Sequence, residues 1–128
     1  MAINILVVDD SEIMRKMIIR TVNLCGLDIG EIYQAGNGRD GLDQLEQNWI
    51  DILFIDVNMP VMDGMEMLQK VRNNPEIKDL PILIISTESN PHRIKEISER
   101  GAGFVHKPFT PEKLREKIEE MLYPELKE

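Results

Sequence analysis

Short runs of consecutive apolar residues alternate along this chain with longer stretches in which apolar residues recur every three or four positions. The runs Ile3-Asn4-Ile5-Leu6-Val7-Val8, Ile52-Leu53-Phe54-Ile55, Ile82-Leu83-Ile84-Ile85 and Phe104-Val105-His106 have the length of strands, and a weaker one lies near 31–35. The intervening stretches have helical period. This alternation predicts five consecutive βα units and an α/β fold whose parallel sheet is covered by helices on both faces.

The helix signals are local and specific. A helix is expected near 11–25, with Met14, Met17, Ile18, Thr21 and Cys25 on its inner face and Gly26 as the stop. Asn37-Gly38 turns the chain into a helix near 38–47 with Leu42 and Leu45 inward. Asp63-Gly64-Met65-Glu66 reads as an acidic cap with Glu three residues on, opening a helix that places Met65, Leu68 and Val71 on one side. Asn90-Pro91 and Thr110-Pro111 each put a capping side chain before a proline at the first helical position. The last helix carries Leu114, Ile118, Met121 and Leu122 as a buried stripe. One domain spanning 1–128, with its core in about 3–122, accommodates all of this.

Charge and composition narrow the function. The net charge is −8, with acids spread along the chain, which argues against binding nucleic acid or an anionic membrane surface and points to protein partners. A lone cysteine, Cys25, forms no intramolecular disulfide, and the start of the chain has no leader-like pattern, so a cytoplasmic protein is expected. No apolar run approaches the roughly 20 residues of a membrane span.

The chemistry sits at the ends of the strands. Asp9 and Asp10 follow the first strand, Asp56 the third, and Lys107 the fifth. If these strands are neighbours in a parallel sheet, three carboxylates and one ammonium converge at its carboxyl edge, where open α/β sheets bind ligands. Three adjacent carboxylates repel one another unless a proton, a metal or the lysine neutralises them. Asp9 and Asp10 also suit helix capping. As a metal pair they would serve magnesium, which takes hard oxygen ligands and keeps several waters. Asp10 is then the direct ligand and Asp9 the water-mediated one, or the reverse. Asp56 is either a salt-bridge partner of Lys107 or a covalent nucleophile that attacks phosphorus, with metal and lysine holding the phosphoryl oxygens. The bond Lys107-Pro108 accommodates a cis form that would aim the lysine back into the site. Ser86, at the end of the fourth strand, is either an ordinary turn residue or a hydroxyl donor to a phosphoryl oxygen.

Taken together and in order, Asp9-Asp10-Ser11, Asp56-Val57-Asn58-Met59-Pro60-Val61-Met62-Asp63-Gly64, Ser86-Thr87-Glu88 and Lys107-Pro108-Phe109 resemble the receiver domain of bacterial two-component response regulators. The resemblance covers nearly the whole chain and is similar to the single-domain chemotaxis (CheY-like) type. It implies a doubly wound five-stranded sheet in the order 2-1-3-4-5. It also implies that Asp56 is the phosphoacceptor, that Asp9, Asp10, Asp56 and the backbone carbonyl of Asn58 hold Mg2+ or Mn2+, and that Lys107 bridges to the phosphoryl group. Ser86 matches the switch hydroxyl and Phe104 the aromatic that turns inward with it; Phe lacks the hydroxyl of the tyrosine often found there. Asn58 and Glu88 match the two positions that tune phosphoryl lifetime. The loop Gly101-Ala102-Gly103-Phe104 is a residue shorter than the usual pattern.

The implied partners are a CheA-like sensor histidine kinase, a target such as the flagellar motor switch read through the fourth helix, fifth strand and fifth helix, and a phosphatase. A monomer is expected, as is the absence of an attached output domain after the last helix. A phosphorelay intermediate or phosphate sink exchanging with a histidine phosphotransfer protein is the alternative. His92 and His106 lack metal-ligand spacing. A flavin binder of similar fold would want a neutral loop after the first strand, where Asp9-Asp10 repels phosphate. A small-molecule phosphatase would want a cap domain, and a scaffold would not need every acceptor, metal and lysine position filled. Catalysis is confined to the chain's own aspartate, so turnover enzymology is not expected.

Overall fold

The computed structural model describes residues 2–57 and 62–124. Five strands alternate with five helices: β1 (Ile3–Val8), α1 (Glu12–Leu24), β2 (Ile29–Ala35), α2 (Gly38–Gln47), β3 (Ile52–Ile55), α3 (Gly64–Arg72), β4 (Ile82–Ser86), α4 (Pro91–Glu99), β5 (Gly103–His106) and α5 (Pro111–Leu122). All pairings are parallel, and the order is β2-β1-β3-β4-β5. The expected order is therefore the observed one. The weak second strand begins at Ile29, slightly ahead of its apolar run.

Period-two alternation along the strands builds two cores. Leu6, Val8, Leu53, Ile55, Ile82 and Ile84 face α2, α3 and α4, where Met67, Leu68, Val71 and Ile97 are buried. Ile5, Val7, Ile52, Phe54, Leu83, Ile85 and Val105 face α1 and α5, meeting Ile18, Val22, Leu114 and Ile118. The central strands, covered on both sides, are thus apolar at nearly every position.

Each helix starts on a side-chain cap. Ser11, Asn37, Asp63, Asn90 and Thr110 accept from the backbone N–H groups of Met14, Asp40, Glu66, His92 and Lys113 respectively. Pro91 and Pro111 occupy first-turn positions. After α1, Gly26 has φ 84° and ends the helix in the left-handed region.

One expected inward residue is outward. Met17 is 54% exposed, and with Ile13 and Leu24 it lies on the outer side of α1, whereas Ile18, Val22 and Cys25 are buried. At the opposite end of the sheet from the strand-end acids, Trp49 is 77% exposed, and its Nε1 donates to Asp51 Oδ1 at 2.9 Å. The short connection before β5 is tied to α3: Arg72 donates from Nε to the carbonyl of Arg100 at 2.8 Å and from Nη2 to that of Gly101 at 3.3 Å. Its Nη1 donates to the carbonyls of Lys78 and Leu80 at 2.9 and 2.8 Å.

Candidate functional site

The register of β1 against β3 brings the acids together. Val8 pairs with Ile55, so the residues that follow them, Asp9 and Asp56, leave the sheet side by side, and Asp56 N donates to the Val8 carbonyl at 3.0 Å. Asp10 adds a third carboxylate. One oxygen from each of Asp9, Asp10 and Asp56 lies within 4.8 Å of the others. Register also delivers the lysine: Ser86 pairs with His106, and Lys107 N donates to the Ser86 carbonyl at 2.9 Å. Lys107 Nζ then lies 3.6 Å from Asp9 Oδ2 and 3.7 Å from Asp56 Oδ1. The Lys107-Pro108 peptide is cis. The four strand-end residues expected to converge do so.

Asp9 and Asp10 do not cap α1, because Ser11 does. Asp9 is instead 2% exposed, and its Oδ1 accepts from Ser11 N at 2.9 Å. Among the described residues its other oxygen, Oδ2, has no hydrogen-bond partner; it is buried and faces the Lys107 ammonium. Burial is the largest influence on this carboxyl and pushes its pKa above the ordinary 3.8; the Ser11 N–H and the Lys107 charge pull it down, and the charge of Asp10 pushes it up again.

This donor set suits a hard divalent cation. With Mg–O distances of about 2.1 Å, adjacent ligands of octahedral magnesium lie about 3.0 Å apart and opposite ones about 4.2 Å, so three carboxylate oxygens within 4.8 Å of one another would close around the ion by contraction or through bridging water. A cation would also satisfy the orphaned oxygen of Asp9.

The remaining expected residues surround this centre. Ser86 is fully buried, and its Oγ accepts from Glu88 N at 3.0 Å, which leaves the hydroxyl proton to donate elsewhere. The Glu88 carboxylate accepts from Ser89 N and Asn90 N at 3.2 Å each, at the entry to α4. Phe104 is half-buried on β5, packed on the α3 and α4 side, with its ring edge-on to exposed His106 at 6.3 Å. Asn58, expected as both a metal ligand and a lifetime position, lies with Met59, Pro60 and Val61 outside the described residues.

A family model described as the response regulator receiver domain matches residues 5–119. The chain belongs to the response regulator receiver family. It is 37% identical over 120 residues to a chemotaxis protein CheY homolog of Campylobacter jejuni, covering 92% of this chain and 91% of that protein. With the chemotaxis protein CheY1 of Helicobacter pylori it shares 35% identity, covering 92% of this chain and 95% of the relative. The solved structure of the Vibrio cholerae chemotaxis protein CheY4 is similar, with a TM-score of 0.84 at 36% identity, over 95% of this chain and 100% of that one. Receiver domains bind Mg2+ at an acidic cluster, and Asp9, Asp10 and Asp56 form one here.

Two residues that shape this receiver's site had no role in the sequence reading. Gly64 was legible as part of a helix start, yet α3 begins so close to the end of β3 that a Cβ there would collide with the Asp56 carbonyl and sit 2.8 Å from Val57 Cα. Gly64 N also donates to the Val57 carbonyl at 2.8 Å. Arg15 lies in the first turn of α1, and its side chain bonds to the Asp9 carbonyl after β1 and to Gln34 on β2.

Proposed function

We propose that this receiver is a phosphorylation-activated signalling switch with Asp56 as its phosphoryl acceptor. The observation that carries the reading is one carboxylate at the sheet edge, Asp56, with acidic oxygens of Asp9 and Asp10 within 4.8 Å and the Lys107 ammonium 3.7 Å away.

In the transfer, an Asp56 oxygen attacks the phosphorus of a kinase phosphohistidine. The P–N bond breaks, its electron pair stays with the imidazole, and an aspartyl phosphate remains. Asp9, Asp10, Asp56 and the Asn58 carbonyl would hold Mg2+ or Mn2+, which would supply positive charge to the phosphoryl oxygens during transfer. Lys107 supplies the second positive charge. The Ser86 hydroxyl donates to a phosphoryl oxygen, and because Ser86 Oγ also accepts from Glu88 N, its movement is felt in the segment that enters α4. Phe104 follows on β5, so the α4, β5 and α5 face changes population and presents a new surface to a target. Asn58 and Glu88 regulate water access and hence the lifetime of the acyl phosphate. Since the acceptor is the chain's own side chain, the protein acts as a switch and not as an enzyme turning over a small substrate.

Similarity to chemotaxis proteins over most of the chain supports a CheY-like role, with a CheA-like kinase upstream and the flagellar motor switch as target. The test of the chemistry is intact mass after incubation with Mg2+ and acetyl phosphate. A gain of one phosphoryl group that disappears in Asp56→Asn and under chelation is expected; no gain by the folded, magnesium-bound chain would overturn Asp56 as a competent nucleophile toward small donors.

A further inference from the structure

The loop that carries the two adjacent acids is held by one guanidinium from the first turn of α1. Arg15 Nη1 donates to the backbone carbonyl of Asp9 at 2.6 Å, and Arg15 Nε donates to Gln34 Oε1 on β2 at 3.0 Å. The same guanidinium lies over Gly36, where an added Cβ would be 3.7 Å from Nη1. Arg15 itself is fixed by its backbone, whose N–H donates to the Ser11 carbonyl at 3.0 Å.

The carbonyl it holds belongs to the peptide that joins Asp9 to Asp10. The other polar groups of Asp9 are also engaged: N–H to the Ala35 carbonyl at 3.1 Å, Oδ1 with Ser11 N at 2.9 Å, and Oδ2 facing Lys107 at 3.6 Å. With the carbonyl pinned, the Asp9-Asp10 peptide plane cannot turn, and the direction in which Asp10 leaves the chain is set. A planar fork can satisfy two acceptors in fixed directions at once; an ammonium on a flexible stem cannot do the same.

We propose that Arg15 is a positioning residue for the metal-binding acids: by holding the Asp9 carbonyl against β2 it presets Asp9 and Asp10 for a divalent cation. This rests on reading the acid cluster as a metal site. The side chain of Arg15 bonds to the Asp9 carbonyl and to Gln34, so it acts on the acids through the backbone. Its charge alone would act in the opposite direction, since a cation near three carboxylates repels a second one. The sign of the effect therefore separates positioning from simple electrostatics.

The experiment is calorimetric titration of MgCl2 into the unmodified chain, Arg15→Met, Arg15→Lys and Gln34→Met, well below each variant's unfolding temperature and with folding checked by circular dichroism. Magnesium affinity is expected to fall about tenfold in Arg15→Met, as for other groups that orient metal ligands. Arg15→Lys, which keeps the charge but not the fork, should fall nearly as far, and Gln34→Met should fall by less. A purely structural role would lower the unfolding temperature without changing the affinity of the folded protein. Unchanged or tighter magnesium binding in Arg15→Met and Arg15→Lys would overturn the proposal. If Arg15→Met does not fold, Arg15→Lys and Gln34→Met decide by the same criterion. Absence of binding by the unmodified chain would overturn the metal-site reading, and the role of Arg15 with it; binding by the unmodified chain that is insensitive to these substitutions would overturn the role of Arg15 alone.

Discussion

Lys107 Nζ lies 3.6 Å from Asp9 Oδ2, although β5 and β1, the strands they follow, are separated in the sheet by β4 and β3. Neighbouring strands are about 4.8 Å apart, so the lysine must extend along the sheet edge to make this contact. It brings positive charge to the most buried acid of the site. Replacing it with methionine is expected to lower stability at neutral pH by about 1–3 kcal/mol, because Asp9 loses the cation that faces its orphaned oxygen. Urea denaturation with and without Mg2+ checks this: magnesium should recover part of the loss, since the three carboxylates remain. Phosphorylation by acetyl phosphate should fall sharply even at saturating metal.

Magnesium affinity should decline on acidification sooner than an exposed aspartate would allow. Burial raises the pKa of Asp9 above 3.8, so its carboxylate takes up a proton at a higher pH than usual. Proton and metal compete for it, and affinity drops as pH falls through the raised value. For the metal-free protein the sign is opposite to that of a salt-bridged acid with a depressed pKa. The folded state holds this proton more tightly than the unfolded chain, so the contribution of Asp9 to stability increases as pH falls through the folded value toward the unfolded one. Titrations of MgCl2 between pH 5 and 8 measure the first effect. Asp9→Asn should abolish the part due to this group and raise metal-free stability at neutral pH.

Gly64→Ala is expected to damage the site from behind. The new methyl would meet the backbone of Asp56 and Val57, which cannot move aside as a flexible side chain can. A cost of about 1–3 kcal/mol is typical of such overpacking. The part of the strain relieved by shifting the end of β3 should appear as a slower rate of phosphorylation. Denaturation and time-resolved intact mass, measured on the same variant, give the two effects separately.

Arg72 is expected to matter for stability without affecting metal binding. It donates to the carbonyls of Lys78, Leu80, Arg100 and Gly101, and its burial pulls its pKa below the usual value against the favourable charge of Asp79. Arg72→Met leaves those acceptors without their donor, at a cost of about 2–4 kcal/mol. Amide hydrogen exchange should quicken around residues 78–81 and 100–102, while MgCl2 titration of the folded variant should match the unmodified chain.

The residues at the strand ends were legible because their neighbours in sequence announce them: an apolar run fixes where a parallel strand stops, and Asp9, Asp56 and Lys107 come next. The caps were legible for the same local reason, with Asp63, Asn90 and Thr110 each accepting from the N–H they were placed to meet. Met17 was not, because α1 carries two overlapping stripes. Met14, Ile18, Val22 and Cys25 fit helical spacing as well as Met14, Met17, Thr21 and Leu24 do, and it is packing against β1 and α5 that selects the first. The roles of Arg15 and Gly64 at the site were illegible in a stricter sense. What they touch is mainly backbone, and backbone leaves no signature in the sequence.

The position of Trp49 decides how this protein can be watched. It is the chain's single tryptophan, it precedes β3, and Asp56 follows that strand of four residues, about 13 Å of extended chain. Its indole is in water and bonded to Asp51. Intrinsic fluorescence will therefore report events at the far pole of the domain and remain nearly silent when the acid cluster takes up a cation or a phosphoryl group.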